Sequence, residues 1–273
     1  MSFLVFGPER PKLSFRQDPK RGTVVQCDSE YVLKFYAPDK PIRWREVASV
    51  CGIPPSGIPT KRDWGCEDVW RSIIKQLKIL CQTDSERTFL DKITAAQKSR
   101  QRIRSQWFKK EKEGLREGVA QAGERFYESL LDEPALIPQV WLNWIHYDSK
   151  DKQRSERMHL EPFRVDFLYQ GENRMAGFKK VIVEIDDIFH IGDVKKYVDD
   201  FLKSPGVEME PSLEKFTEHL RKDRWLRRHG WEVSRFSTLE VEKENYNYLY
   251  CEMLMLGGSE KIYPSPSYFP HKE

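Results

Sequence analysis

Residues 163–169 read F-R-V-D-F-L-Y, and residues 180–187 read K-V-I-V-E-I-D-D. Both are short runs of β-branched and aromatic residues, the composition expected of strands. Side chains alternate faces along a strand. In the first run Phe163, Val165, Phe167 and Tyr169 share one face, and Arg164 and Asp166 share the other. In the second, Val181, Val183 and Ile185 point together, with Glu184 and Asp186 opposite. Each strand thus carries carboxylates inside an otherwise apolar segment, which is costly without a partner. If the strands are neighbours, Asp166, Glu184 and Asp186 meet at one point. Such a cluster suits a hard divalent ion, Mg²⁺ or Mn²⁺, which takes oxygen ligands and keeps several waters. The ion would acidify a bound water and stabilise charge on a phosphodiester oxygen. A plainer reading stands beside this one: Arg164, Lys179, Lys180 or Arg235 neutralise the carboxylates in salt bridges.

Working outward, the C-terminal part reads as helix, three strands, helix, strand, helix. The expected elements are a helix over Val119–Leu131 and strands over Ile137–Tyr147, Pro162–Tyr169 and Phe178–Asp186. A helix over Leu213–His229 follows, with Ser212 as N-cap and Gly230 just past its end, then a strand over Trp231–Phe236. This order predicts an α/β fold with a mixed central sheet flanked by helices. Toward the N-terminus, Lys12–Arg16, Thr23–Cys27 and Tyr31–Tyr36 read as short strands, and Ile42–Gly52 and Glu67–Cys81 as helices. We therefore expect a separate α+β module over residues 1–85. Its string R-E-V-A-S-V-C-G-I, from Arg45 to Ile53, resembles the first helix and turn of helix-turn-helix modules, a DNA-binding element.

Charge is unevenly spread. The chain of 273 residues carries a formal net charge of +3, yet the window from Lys92 to Arg116 holds nine basic residues against Glu111 and Glu113. That window reads as a basic helical connector over residues 86–117, joining the module to a domain over residues 118–273. Lys98, Arg100, Arg102, Arg104, Lys109 and Lys110 are its candidate contacts to a nucleic-acid backbone. A solvated linker helix explains the same charges.

Several classes are excluded. No stretch approaches the ~18 apolar residues of a membrane span. The five cysteines are widely spaced, with no C-x-x-C pair. That argues for reduced thiols, as in a cytoplasmic protein, rather than a disulfide framework or zinc knuckle. Gly-rich phosphate loops, a G-x-S-x-G elbow and an H-E-x-x-H pair are missing from the sequence.

Five pieces, in order, carry a resemblance to a known family. They are G-E-R-F-Y-E-S-L-L at 123–131, I-P-Q-V at 137–140, R-V-D-F at 164–167, V-I-V-E-I-D-D-I-F-H at 181–190, and K-D-R-W-L-R-R-H-G-W-E-V-S-R-F at 222–236. Together they resemble the PD-(D/E)xK nuclease superfamily, and most closely its DUF559 and very-short-patch-repair-like endonuclease group. The resemblance implies a restriction-endonuclease-like αβββαβ core and metal-dependent hydrolysis of DNA, in restriction, phage defence or repair. It implies that Asp166 and Glu184 hold Mg²⁺ or Mn²⁺, with Glu124 and Asp186 completing the shell. Asp186 stands where the wider superfamily has a Lys, so Lys222 or His190 is the implied substitute in catalysis, with Arg235 on the scissile phosphate. Asp187 replaces the group's Gly, and Gly192–Glu210 is an insertion, a lid or partner surface. Two other readings remain open: a non-cleaving nucleic-acid-binding or assembly subunit, and an RNA nuclease. Double-strand cutting would imply a homodimer by symmetry, or a larger defence or repair complex.

Overall fold

The computed structural model describes residues 3–20, 22–34, 39–53, 65–111, 119–142, 163–173, 177–187, 192–198 and 206–254. The strands are β1 (Phe3–Phe6), β2 (Lys12–Asp18), β3 (Gly22–Asp28), β4 (Tyr31–Lys34), β5 (Leu136–Leu142), β6 (Phe163–Asn173), β7 (Gly177–Asp186), β8 (Gly192–Val198), β9 (Gly206–Pro211) and β10 (Glu232–Ser237). The helices are α1 (Trp44–Val50), α2 (Cys66–Leu80), α3 (Asp84–Glu111), α4 (Val119–Leu131), α5 (Leu213–Arg228), α6 (Thr238–Lys243) and α7 (Tyr246–Met253).

Six strands form one mixed sheet in the order β10-β7-β6-β5-β1-β4. Neighbours are antiparallel except β10, which runs parallel to β7. The α/β class with a mixed sheet is therefore present, and α4, β5, β6, β7, α5 and β10 follow one another as the sequence suggests. Local chemistry explains the ends of α5. The Ser212 hydroxyl accepts from the Lys215 amide, and Gly230 adopts φ +76° just beyond the helix, a backbone state that glycine enters without steric cost. The chain then turns directly into β10.

The sheet is covered on both faces. Phe89 of α3 packs on Phe167 and Phe236, with ring centroids 5.5 and 5.1 Å apart. Lys222 of α5 reaches Glu184 from the opposite face. Within the insertion at Gly192–Glu210, β8 and β9 pair antiparallel as a two-stranded sheet apart from the main one.

Two expectations about organisation are corrected. Residues 1–85 are not a module apart, because β1 pairs antiparallel with β5 and so extends the C-terminal sheet. Trp44 of α1 is fully buried, and its indole N–H donates to Gln97 of α3, whose amide donates to the Pro134 carbonyl. Ile42 N donates to the Gln170 carbonyl, and Ala135 N to the Ile42 carbonyl. Gly171 is demanded by this seam, since a Cβ there would lie 2.2 Å from the Pro134 ring.

Nor are residues 86–117 a mere connector. The first half of α3 is a core helix, with Phe89, Leu90, Ile93 and Ala96 at 0% exposure. The physical reason is the apolar stripe at the start of the helix, which the strong charge further along obscures. The string likened to a helix-turn-helix module begins in α1, whose Trp44, Val47 and Ala48 are buried in the core. Residues 54–64 lie outside the described set.

Candidate active site

The site builds on β6 and β7, neighbours in the sheet as expected. Asp166 lies on β6, and its Oδ2 accepts from the Ile185 amide of β7 at 2.7 Å. Glu184 lies on β7 and is 4% exposed. Burial pushes its carboxyl up to about 7; Lys222 and Arg235 oppose that rise, and Asp166 adds to it. Lys222 projects from α5, with Nζ 2.7 Å from Glu184 Oε1 and 3.0 Å from the Arg164 carbonyl, to which it donates. A long side chain on the helix over the sheet thus reaches the carboxylate, as its place in the sequence suggests.

Asp186 does not share this arrangement. Both its oxygens accept from Arg235 Nη1 at 2.9 Å, and the same guanidinium donates to Asp223 at 2.7 and 3.3 Å. The plainer salt-bridge reading therefore holds for Asp186. Of the other cations weighed, Lys179 pairs with Glu232 at 2.8 Å, and Lys180 lies 4.6 Å over the Trp231 ring.

Glu124 is corrected outright. It is exposed on α4, and its Oε1 accepts from the Cys66 amide at 2.7 Å, which caps the start of α2. The free amides of a first helical turn are the ordinary partners of such a carboxylate. The helix carboxylate that turns inward is Glu86 of α3, 4% exposed. It accepts from Gln82 N at 2.8 Å, Thr83 Oγ1 at 3.2 Å and Gln139 Nε2 at 2.7 Å. Burial raises its pKa, and these hydrogen bonds oppose the rise.

Gln139 itself sits in β5 at φ +55°, the left-handed region that a non-glycine residue enters at a cost. It is fully buried, and its carbonyl accepts from the Gly7 amide at 2.8 Å. Arg164 joins the two halves of the site. Its guanidinium donates to Gln82 Oε1 at 2.6 Å and to the Pro8 carbonyl at 3.1 Å, within the fields of Glu86, Asp166 and Glu184. Glu86 was missed in the sequence, although T-D-S-E-R at 83–87 carries a helix-start signature with the carboxylate three residues on. His190 lies outside the described residues.

The donors fit one kind of metal. Asp166 and Glu184 are hard oxygen donors on adjacent strands, and the buried Glu184 Oε1 has the ammonium of Lys222 2.7 Å away. Mg²⁺ is usually held by one or two carboxylates, with waters and substrate phosphates supplying the rest. Among the described residues no group of three or more His, Cys, Asp or Glu converges, so an all-protein cage is not what they build.

The basic run of α3 divides. Lys92 is used up capping α6: its Nζ donates to the carbonyls of Val241, Glu242 and Glu244 at 2.6–2.9 Å. Arg100 stacks 4.9 Å over the Tyr250 ring. Lys98 lies near the Trp70 and Tyr127 rings, and Arg102 is exposed. The side chains of Arg104, Lys109 and Lys110 lie outside the described set. No helix among the described residues is long and apolar enough to cross a membrane.

Comparison of the chain with family models, with curated proteins and with solved structures finds no match.

Proposed function

We propose that the chain is a metal-dependent nuclease of the PD-(D/E)xK kind, hydrolysing phosphodiester bonds in DNA. One observation carries the reading: a buried Glu184 beside Asp166, with Lys222 Nζ 2.7 Å away, on an αβββαβ run whose last strand is parallel to its neighbour. Asp166 and Glu184 would hold Mg²⁺ or Mn²⁺. The bound ion would supply an acidified water and a counter-charge for the phosphate. Lys222 takes the place of the superfamily lysine. It approaches from α5 rather than β7, and its ammonium orients the attacking water and lends positive charge. Arg235, aimed by Asp186 and Asp223, keeps one N–H on Nη2 and its positive charge beside the site for a phosphate oxygen. Glu86, Gln139 and Arg164 fix the wall around the carboxylates. Action in restriction, defence or repair follows from the resemblance alone.

A non-cleaving nucleic-acid-binding subunit is the competing reading. It draws on the pairing of Glu184 with Lys222 and of Asp186 with Arg235, which balances the carboxylates from within the chain. The deciding experiment incubates the full chain with supercoiled plasmid, linear duplex, single-stranded DNA and RNA. Mg²⁺, Mn²⁺ or EDTA is present, and Asp166→Asn and Glu184→Gln run alongside. Metal-dependent cleavage that both substitutions abolish is the expected result, with DNA preferred over RNA. Binding without cleavage on every substrate would transfer the assignment to the non-cleaving subunit.

A further inference from the structure

A second charged surface lies away from the carboxylates. Helices α2 and α3 line an open cleft of about 420 Å³, with Trp70 and Ile74 among its apolar residues and Arg71, Lys75, Lys78 and Lys98 beside one carboxylate, Asp91. On α2 the cations recur at i, i+4 and i+7, which puts them on one face. On α3, Arg102 lies one turn beyond the cleft residue Lys98, at the same four-residue spacing. Neighbouring cations are therefore about 4.5–6 Å apart along the helix axis.

Some of this charge is balanced locally. Arg71 pairs with Glu67, and Lys78 pairs with Asp91. Lys75 and Arg102 have no ion-pair partner among the described residues. Lys98 is half-buried, its Nζ 5.6 Å from the Trp70 ring centroid and 5.7 Å from that of Tyr127. Its pKa is lowered first by burial and then by the like charges of Arg71 and Arg102. Glu67 and Asp91 are the carboxylates that act on Lys98, and together with Arg71, Lys75, Lys78 and Arg102 the cations outnumber them, which leaves room for an anion from outside.

We propose that the α2–α3 cleft is a second anion-binding surface, which grips the phosphate backbone of a nucleic acid about 18 Å along α3 from Glu86. The proposal rests on the reading of the substrate as nucleic acid. Cations repeating every three or four residues on two helices match a linear polyanion with recurring charge. Trp70 is itself 1% exposed, so its ring face is not open to an anchoring side chain. An acidic protein segment is accordingly the weaker match. Bases are not read here, since phosphate contacts position a strand without specifying its sequence. The cleft holds the substrate while the carboxylates act elsewhere on it.

The test measures binding of a fluorescent DNA duplex to the full chain in EDTA, at salt concentrations from about 50 to 200 mM. It compares the unmodified chain with Lys75→Gln/Arg102→Gln, two exposed changes, and with the same pair plus Lys98→Gln. Circular dichroism and melting temperature check folding, and the exposed pair keeps the test sound if the Lys98 change disturbs packing. The expected result is roughly tenfold weaker duplex binding for the exposed pair, with the log–log salt slope reduced by about 2. Unchanged affinity and slope in a folded variant would overturn the proposal. So would weakened binding of a polyglutamate peptide with duplex binding intact, which would reassign the cleft to an acidic protein segment. Cleavage by the unmodified chain with no effect of the cleft changes on binding would remove the cleft and leave the nuclease reading. An effect on binding with no cleavage would do the reverse.

Discussion

Arg235 lies directly opposite Glu184 across the parallel β7–β10 pair, yet its guanidinium turns to Asp186 and Asp223. Two carboxylates on different elements thereby fix one planar fork against the edge of the site. Arg235→Gln is expected to cost about 2 kcal/mol in denaturant unfolding, because charge-assisted hydrogen bonds are lost from partly buried partners. Arg235→Lys should recover little of this, since an ammonium cannot span both carboxylates.

Lys222 tests the proposed chemistry directly. Lys222→Met should lower the single-turnover rate of metal-dependent cleavage by about 10²–10⁴-fold, the usual contribution of a positioned proton-handling group. Duplex binding should change only a few-fold. A variant that cleaves at the unmodified rate would exclude Lys222 from the mechanism.

Glu184 makes stability depend on pH. Its carboxyl is raised from 4.5 to about 7 in the folded chain, so the fold binds that proton more tightly than the unfolded chain does. Stability from this group is full below about pH 4.5 and is lost as pH rises through about 7. Glu184→Gln should therefore gain on the unmodified chain by about 3 kcal/mol between these limits. Unfolding curves across that range, without metal, measure the difference. A pH-independent gap would show that Glu184 keeps an ordinary carboxyl pKa.

Gln139 and Glu86 should behave as one unit. Gln139→Leu takes a donor from a buried carboxylate, and Glu86→Gln takes the acceptor charge from a strained amide. A double-mutant cycle in unfolding free energy should give a coupling of about 1–3 kcal/mol. Simple additivity would mean the contact carries no weight.

The N-terminal segment should be inseparable from the rest. Trp44→Ala is expected to cost about 3–5 kcal/mol, as a fully buried aromatic side chain. A chain lacking β1 should lose its cooperative melting transition, because β5 would become an exposed edge. Independent folding of residues 118–273, seen as a native-like melt, would contradict the shared sheet.

What the sequence revealed and concealed follows from the range of each interaction. β6, β7 and β10 were legible because alternation is local, and α5 because Ser212 and Gly230 mark its ends. Helix α4 was read with its observed bounds, Val119–Leu131. Its carboxylate was misplaced all the same. Glu124 and Glu86 both stand in an E-R motif on a helix with an apolar stripe, and only tertiary packing decides which of them is buried. The pairing of β1 with β5 left no local signature, since its partner lies beyond four intervening helices. The basic residues of α3 looked alike as charges. Their fates differ with what each meets: backbone carbonyls at Lys92, a ring at Arg100, solvent at Arg102.

The shared sheet also sets a timetable for biosynthesis. Val5 finds Trp141 only after that residue has left the ribosome, roughly 7–27 s later at about 5–20 residues per second. In the meantime the nascent chain carries F-L-V-F at 3–6, an apolar strand whose partner on one edge does not yet exist. The nearer partner arrives early, since β4 pairs with β1 across residues 3–6 and 31–34 and satisfies the other edge. The β1–β4 pair is thus an early-formed unit that waits for β5, and the wait is the interval in which a holding chaperone or a slower decoding rate would protect the chain from aggregation.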